Sequence, residues 1–255
     1  MNEIEQILKK FNLNGPFDGD IYINKMEKFK EGKMFLDFVD ERDMYEYEDF
    51  DYKKLYNIMS KNIAVSELIT SHNNTPIYKE MLVWFDKQNY SPNSCIELGC
   101  NNGMFAFTLS QLWKDVKISG IDYSLHAIKS AKKLASKYKI NNCTFFHQNI
   151  NNSFVNIPKV DLIIAPFFFH EIIDLQDCNW NIINDNLNML TNKNTKLIAI
   201  NRFTNPNTQC KQLRLNLKDS DFIETKRDTI KVFSALKDWD TESFPIQVFS
   251  MNPSH

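Results

Sequence analysis

Apolar residues recur along this chain in two rhythms, and the rhythm changes near residue 90. Before that point the spacing is helical. Ile4, Ile7, Leu8 and Phe11 share one helical face, as do Leu55, Ile58, Met59 and Ile63, and then Ile77, Met81, Leu82 and Phe85. Gly15-Pro16 and Gly19 punctuate a loop. Alternation of the strand type is missing, so residues 1–90 are expected to form a mainly helical cap. Tyr90-Ser91-Pro92-Asn93 is a turn signal and marks the expected boundary with residues 91–255.

Beyond it, short apolar runs alternate with amphipathic stretches. Strands are predicted at Ser94–Leu98, Lys117–Ile121, Cys143–His147, Val160–Ala165 and Thr195–Ile200. Helices are predicted at Met104–Trp113, after a Ser124 cap, and at Gln176–Leu190. Such alternation implies a parallel sheet covered on both faces, an α/β doubly wound fold. The tail differs. Phe222–Phe233 and Phe244–Phe249 are rich in β-formers, and Lys237–Glu242 reads as a polar turn, which suggests an antiparallel strand pair ending the sheet.

Composition narrows the class without naming a task. Hydrophobic residues make up 43% and charged residues 24%, ordinary for a packed globular chain, and the net charge is −2. Without a basic excess, tight binding to nucleic acid is not expected. The longest nearly apolar run, Leu162–Phe169, is too short to cross a bilayer, and Met1–Lys10 has no apolar signal core, so a cytoplasmic setting without membrane attachment is the expectation. The five cysteines form no CxxC pair or His-Cys cluster, so no metal site is expected. One local anomaly is the acidic, aromatic stretch 37–52, readable as a solvated face, as a lid or as a surface attracting a cationic substrate.

The chemistry concentrates after the first strand. Ile96-Glu97-Leu98-Gly99-Cys100-Asn101-Asn102-Gly103 joins that strand to the first helix behind it. In a doubly wound sheet this is where a ligand sits. The glycines are spaced GxxxG rather than the GxGxxG that cradles a pyrophosphate. Glu97 would repel a diphosphate and suits a cationic amino-acid group. The segment resembles motif I of the class I S-adenosylmethionine-dependent methyltransferases, and the resemblance runs from about Ser94 to Ile200. It implies a seven-stranded Rossmann-like sheet with a reversed last strand, S-adenosylmethionine as cofactor and S-adenosylhomocysteine as product. It also implies that Glu97 lies near the methionine end, with Gly99, Cys100, Asn101 and Gly103 lining the cofactor. Asn101 stands where the family carries its middle glycine; asparagine tolerates left-handed backbone angles better than most residues.

Three further stretches extend the resemblance. Asp122, at the end of the second strand, matches the ribose-binding acid, which places Tyr123 beside the adenine. Gln148 and Asn149 follow the third strand, where an amide oxygen could accept from the adenine amino group. Ala165 ends the fourth strand beside the methionine portion, and His170 matches a histidine found shortly after it in many small-molecule members. Alignment alone accelerates methyl transfer greatly, because the sulfonium is an excellent leaving group. A base is needed only where the nucleophile must lose a proton. His170 is the candidate, ahead of Glu171 and Asp174. Phe167, Phe168 and Phe169 read either as a pocket wall or as core. The expected function is methyl transfer to a small, partly apolar molecule. A protein, peptide or RNA acceptor, and a non-catalytic cofactor-binding partner subunit, are the alternatives. Oligomeric state is not legible.

Overall fold

The computed structural model describes residues 2–42, 52–173, 178–233 and 241–252. The expected sheet forms. Strands β1 (Ser94–Leu98), β2 (Lys117–Asp122), β3 (Cys143–His147), β4 (Val160–Pro166), β5 (Thr191–Ile200), β6 (Phe222–Phe233) and β7 (Thr241–Met251) pair in the order β3-β2-β1-β4-β5-β7-β6. The first five run parallel, and β7 is antiparallel to both β5 and β6. Strand order reverses between β1 and β4, and their carboxyl ends are where a doubly wound sheet places its ligand.

Both faces of the sheet are apolar and each is covered. Cys95, Ile118, Leu162, Ile164, Ile198 and Ile200 meet helices α1 (Glu3–Lys10), α5 (Ile63–Lys87), α6 (Met104–Leu112) and α7 (Leu125–Lys137). Ile96, Ile163, Leu197 and Ala199 meet α8 (Trp180–Leu190) and α9 (Pro206–Asn216). The alternation of neighbours along each strand is the period-2 geometry of a strand buried on both sides.

The N-terminal region is helical and divides by its packing. α1 and the second half of α5 belong to the main core through Ile4, Ile7, Leu8, Met81, Leu82 and Phe85. Helices α2 (Gly19–Met26), α3 (Lys30–Arg42) and α4 (Tyr52–Lys61) close a smaller cluster with Val65 and Ile69 from the first half of α5. α5 therefore spans both cores, and it continues through Pro76.

Several boundaries differ from expectation. The helix predicted from Gln176 starts at Trp180, because the Asn179 side chain accepts from the Asn181 and Ile182 amides and caps it there. β5 begins four residues early, at Thr191. Three helices, α2, α3 and α9, were not individually anticipated. α2 starts at Gly19, a residue expected to punctuate a loop; the Asp18 carboxylate caps the helix there. α9 has a weak apolar pattern but carries an Asn205 cap and Pro206 in its first turn. Within the acidic stretch 37–52, residues 43–51 lie outside the described residues, and Phe38 is core of the smaller cluster. Most of the expected turn 237–242 also lies outside them; Thr241 and Glu242 begin β7.

Candidate active site

The loop between β1 and α6 is built from left-handed backbone. Gly99, Asn101 and Gly103 have φ of 70°, 46° and 77°. Two of the three positions are glycines; Asn101, which the sequence suggested could adopt such an angle, does so. The first and last positions also exclude a side chain. A Cβ on Gly99 would lie 2.9 Å from Phe168, and one on Gly103 would lie 2.7 Å from the Phe145 ring of β3. The helix can thus start directly against the sheet. Cys100 N–H donates to the Ile121 carbonyl at 2.9 Å, which ties the loop to β2.

Asp122 organises the next strand end. Its Oδ2 accepts from the Asn101 N–H at 2.9 Å and its Oδ1 from the Ser124 N–H at 2.8 Å. Burial pushes its carboxyl up, while those two amides and His147 pull the other way. Tyr123 follows, its side chain 43% exposed, with its carbonyl held by His147 Nε2 at 2.8 Å. Gln148 N–H donates to the Asp122 carbonyl, joining the ends of β2 and β3. The Asn149 carboxamide oxygen accepts from its own neighbour, the Asn151 N–H, in an Asx turn. This loop is braced from behind by Asn186 of α8, which accepts from Phe154 N–H and donates to the Ile150 and Asn152 carbonyls.

Glu97 is 2% exposed, and its Oε2 has no partner among the described residues. Burial drives its carboxyl well above the usual range; a backbone bond from Ala106 opposes this, and the nearby Asp122 adds to it. Asn101 Oδ1 is likewise buried without a partner. An unpaired buried acceptor costs roughly 1–3 kcal/mol, and more for a carboxylate. This loop is therefore incomplete without a donor or cation.

At the end of β4 the three phenylalanines separate. Phe169 is fully buried core. Phe168 lies over Gly99, and Phe167 packs edge-on against Phe244 at 5.3 Å and His170 at 6.1 Å. Phe167 has φ of 54°, a strained angle for an aromatic residue, held by its N–H bond to the Ile200 carbonyl at 2.7 Å. Ala165 is fully buried in β4. His170 Nε2 lies 3.3 Å from Glu171 Oε1, which also accepts from the Tyr56 hydroxyl of α4 at 2.9 Å. Burial raises the Glu171 carboxyl, but His170 and Tyr56 outweigh it, and it stays below the usual range. His170 Nδ1 is buried and unpartnered among the described residues. Asp174 lies outside them.

Residues 91–227, over half of the chain, match the family model described as a methyltransferase domain. The chain belongs to this family, the class I S-adenosylmethionine-dependent methyltransferases. It is an enzyme, and S-adenosylmethionine is its methyl donor. No curated protein matches the chain. Among solved structures the fold is shared at low identity. An S-adenosylmethionine-dependent methyltransferase from Aquifex aeolicus is 14% identical with a TM-score of 0.53, covering 74% of this chain and 98% of its own. The N-methyltransferase NodS of Bradyrhizobium japonicum is 16% identical, with a TM-score of 0.52 and coverages of 71% and 98%. An RNA methyltransferase from Pyrococcus horikoshii, so described provisionally, is 14% identical, with a TM-score of 0.50 and coverages of 70% and 84%.

For this methyltransferase the donor's chemistry fits the loop. S-adenosylmethionine carries a sulfonium and an ammonium, the charges that a buried unpaired carboxylate lacks. Sequence reasoning had three blind spots here. Asn102, 2% exposed, donates to the Ser66 hydroxyl at 2.9 Å and the Thr70 hydroxyl at 3.0 Å, both on α5. Tyr56 reaches Glu171 from a helix 115 residues earlier. Asn201, just after β5, is fully buried with neither end of its carboxamide paired among the described residues. No local motif marks the contacts of Asn102 and Tyr56, since each joins residues remote in sequence. Among the described residues, no group of three or more metal-binding side chains clusters, and no helix is long and apolar enough to cross a membrane.

Proposed function

We propose that this methyltransferase acts on a small, partly apolar molecule, enclosed between the carboxyl ends of β4 and β5 and a cap made by residues 1–90. One observation carries the reading. Tyr56 of α4 donates to Glu171 beside His170, so the helical region reaches across to the turn that follows β4. An acceptor held beneath such a cover must be small. The aromatic residues Phe167, Phe168 and Phe244 suit an apolar body.

The cofactor residues are assigned on the same footing. Glu97 would hold the cationic methionine end, with the loop of Gly99, Cys100, Asn101 and Gly103 along its backbone. Asp122 would hold the ribose, Tyr123 and Gln148 would flank the adenine, and Asn149 would contact it through its carboxamide. Ala165 would form the floor under the methionine portion. Bound there, the donor supplies an electrophilic methyl group and a good leaving group. His170 would take the acceptor's proton at Nδ1, while Glu171, ionised, orients the ring through Nε2 and stabilises the imidazolium that results.

The reading is tested by incubating the protein with methyl-labelled S-adenosylmethionine and a cell extract, then separating products by size. Label should collect in the low-molecular-mass fraction and fall at least about a hundredfold with His170→Ala, the lower end of what general-base catalysis contributes. Label in protein or RNA instead would reject the small-acceptor assignment. Full turnover by His170→Ala would remove the base.

A further inference from the structure

We infer that Asn102 is a positioning residue through which helix α5 sets the affinity of the cofactor loop. The inference rests on the reading that this loop holds S-adenosylmethionine. Ser66 and Thr70 lie one turn apart on α5, outside the matched residues 91–227, and both are buried. Their hydroxyls accept from Asn102 Nδ2 at 2.9 and 3.0 Å, and the Ser66 carbonyl lies at 3.4 Å. The other end of the same carboxamide accepts from the Met104 N–H at 3.3 Å, in the first turn of α6. Asn102 thus fastens one point of the loop to two helices at once.

That point matters because of its neighbours. Asn102 sits between Asn101 and Gly103, both left-handed. A left-handed angle on a residue with a Cβ is strained and persists only where surrounding contacts enforce it. Besides the Gly103 N–H bond to the Cys100 carbonyl at 2.8 Å, two contacts from outside the loop do so here. Asp122 holds the Asn101 N–H at 2.9 Å, and α5 holds the adjoining side chain. Releasing the second lets Asn101 relax towards ordinary angles and carries the Gly99–Gly103 backbone away from its binding shape. The protein can remain folded meanwhile, since α5 is also anchored by Met81, Leu82 and Phe85 in the main core.

The experiment is calorimetric titration of the full chain with S-adenosylhomocysteine, well below the melting temperature. It uses wild type, Asn102→Ala, the double variant Ser66→Ala/Thr70→Val, and the triple variant. Asp122→Ala marks loss of the site itself. The double variant leaves the loop's own residues intact and is nearly isosteric, so it keeps the test open if Asn102→Ala fails to fold. Binding to the double variant should weaken about tenfold, close to 1.4 kcal/mol. The triple variant should be no weaker than Asn102→Ala alone, the signature of one shared interaction. Unchanged affinity in the double variant, with only a lowered melting temperature, would make the contact merely structural and overturn the inference. Wild-type binding that survives Asp122→Ala intact would instead overturn the placement of the cofactor.

Discussion

Glu97 shows how one residue's environment foretells its partner. Burial and the nearby Asp122 disfavour its charge, and a backbone bond from Ala106 only partly offsets them. Asp122 adds negative charge, and Cys95, Cys100 and Tyr78 are buried close enough to feel Glu97 in return. Burial raises its carboxyl above the unfolded value, so the folded state holds a proton that the unfolded state has released. Stability therefore falls as pH rises from the ordinary carboxylate value of 4.5 through the raised one. A cationic ligand reverses the preference, so binding of S-adenosylmethionine should expel that proton. The observed enthalpy of binding should then vary with the ionisation enthalpy of the buffer, and affinity should rise with pH over the same window. Glu97→Gln should abolish the buffer dependence and weaken binding roughly 10- to 100-fold, the worth of a hydrogen bond to a charged group. A wild-type enthalpy that ignores the buffer would assign the charge to another group.

Elements tell which parts of the sequence were legible. Strands β1 to β4 could be read to within a residue or so, because continuous apolar runs bounded by turns have few alternatives in a sheet buried on both faces. The Gly99–Gly103 loop was legible for a related reason: only small or amide-bearing residues tolerate its angles. α5 was legible only in pieces. Leu55 to Ile63 reads as one helical face and Ile77 to Phe85 as another, whereas in the fold α4 ends at Lys61 and a single 25-residue helix runs from Ile63 to Lys87. The stretch around Ser66, Thr70, Ser71 and His72 is buried but polar, so hydrophobic periodicity passes over it. Its partners are Asn102, Asn14 and Phe17, none of them near in sequence. α5 is nonetheless a main-core element. Phe85 is fully buried and meets Phe105 and the edge of Trp113. Phe85→Ala should therefore cost about 3–5 kcal/mol in urea-induced unfolding, the range for a buried aromatic. A loss under about 1 kcal/mol would mean that the helix is only laid on the surface.

At the scale of the whole molecule, the two main cores face one sheet, while the smaller cluster of Tyr22, Met26, Phe35, Phe38, Leu55 and Ile58 meets them through α5 and through the packing of α4 on α7. A small apolar cluster with its own residues can open without exposing the sheet, and such local opening takes less free energy than global unfolding. A cap over an acceptor site needs this property, since the acceptor must enter and the product leave. Outside their cluster, α4 lies along α7, and two hydrogen bonds add to that packing. Ser130 donates to the Ser60 carbonyl at 2.9 Å, and Tyr56 donates to Glu171. Hydrogen exchange should accordingly show amides of α2 to α4 opening at a lower free energy than those of β1, β4 and β5. Adding S-adenosylhomocysteine should slow exchange in Gly99–Gly103 and leave α2 and α3 nearly unchanged, because on the placement proposed above the cofactor would touch the sheet end and not those helices. If α2 to α4 instead exchange at the same free energy as the central strands, cap and sheet form one cooperative unit. The acceptor would then have to enter without the cap opening, through a path that the contact between Tyr56 and Glu171 leaves uncovered.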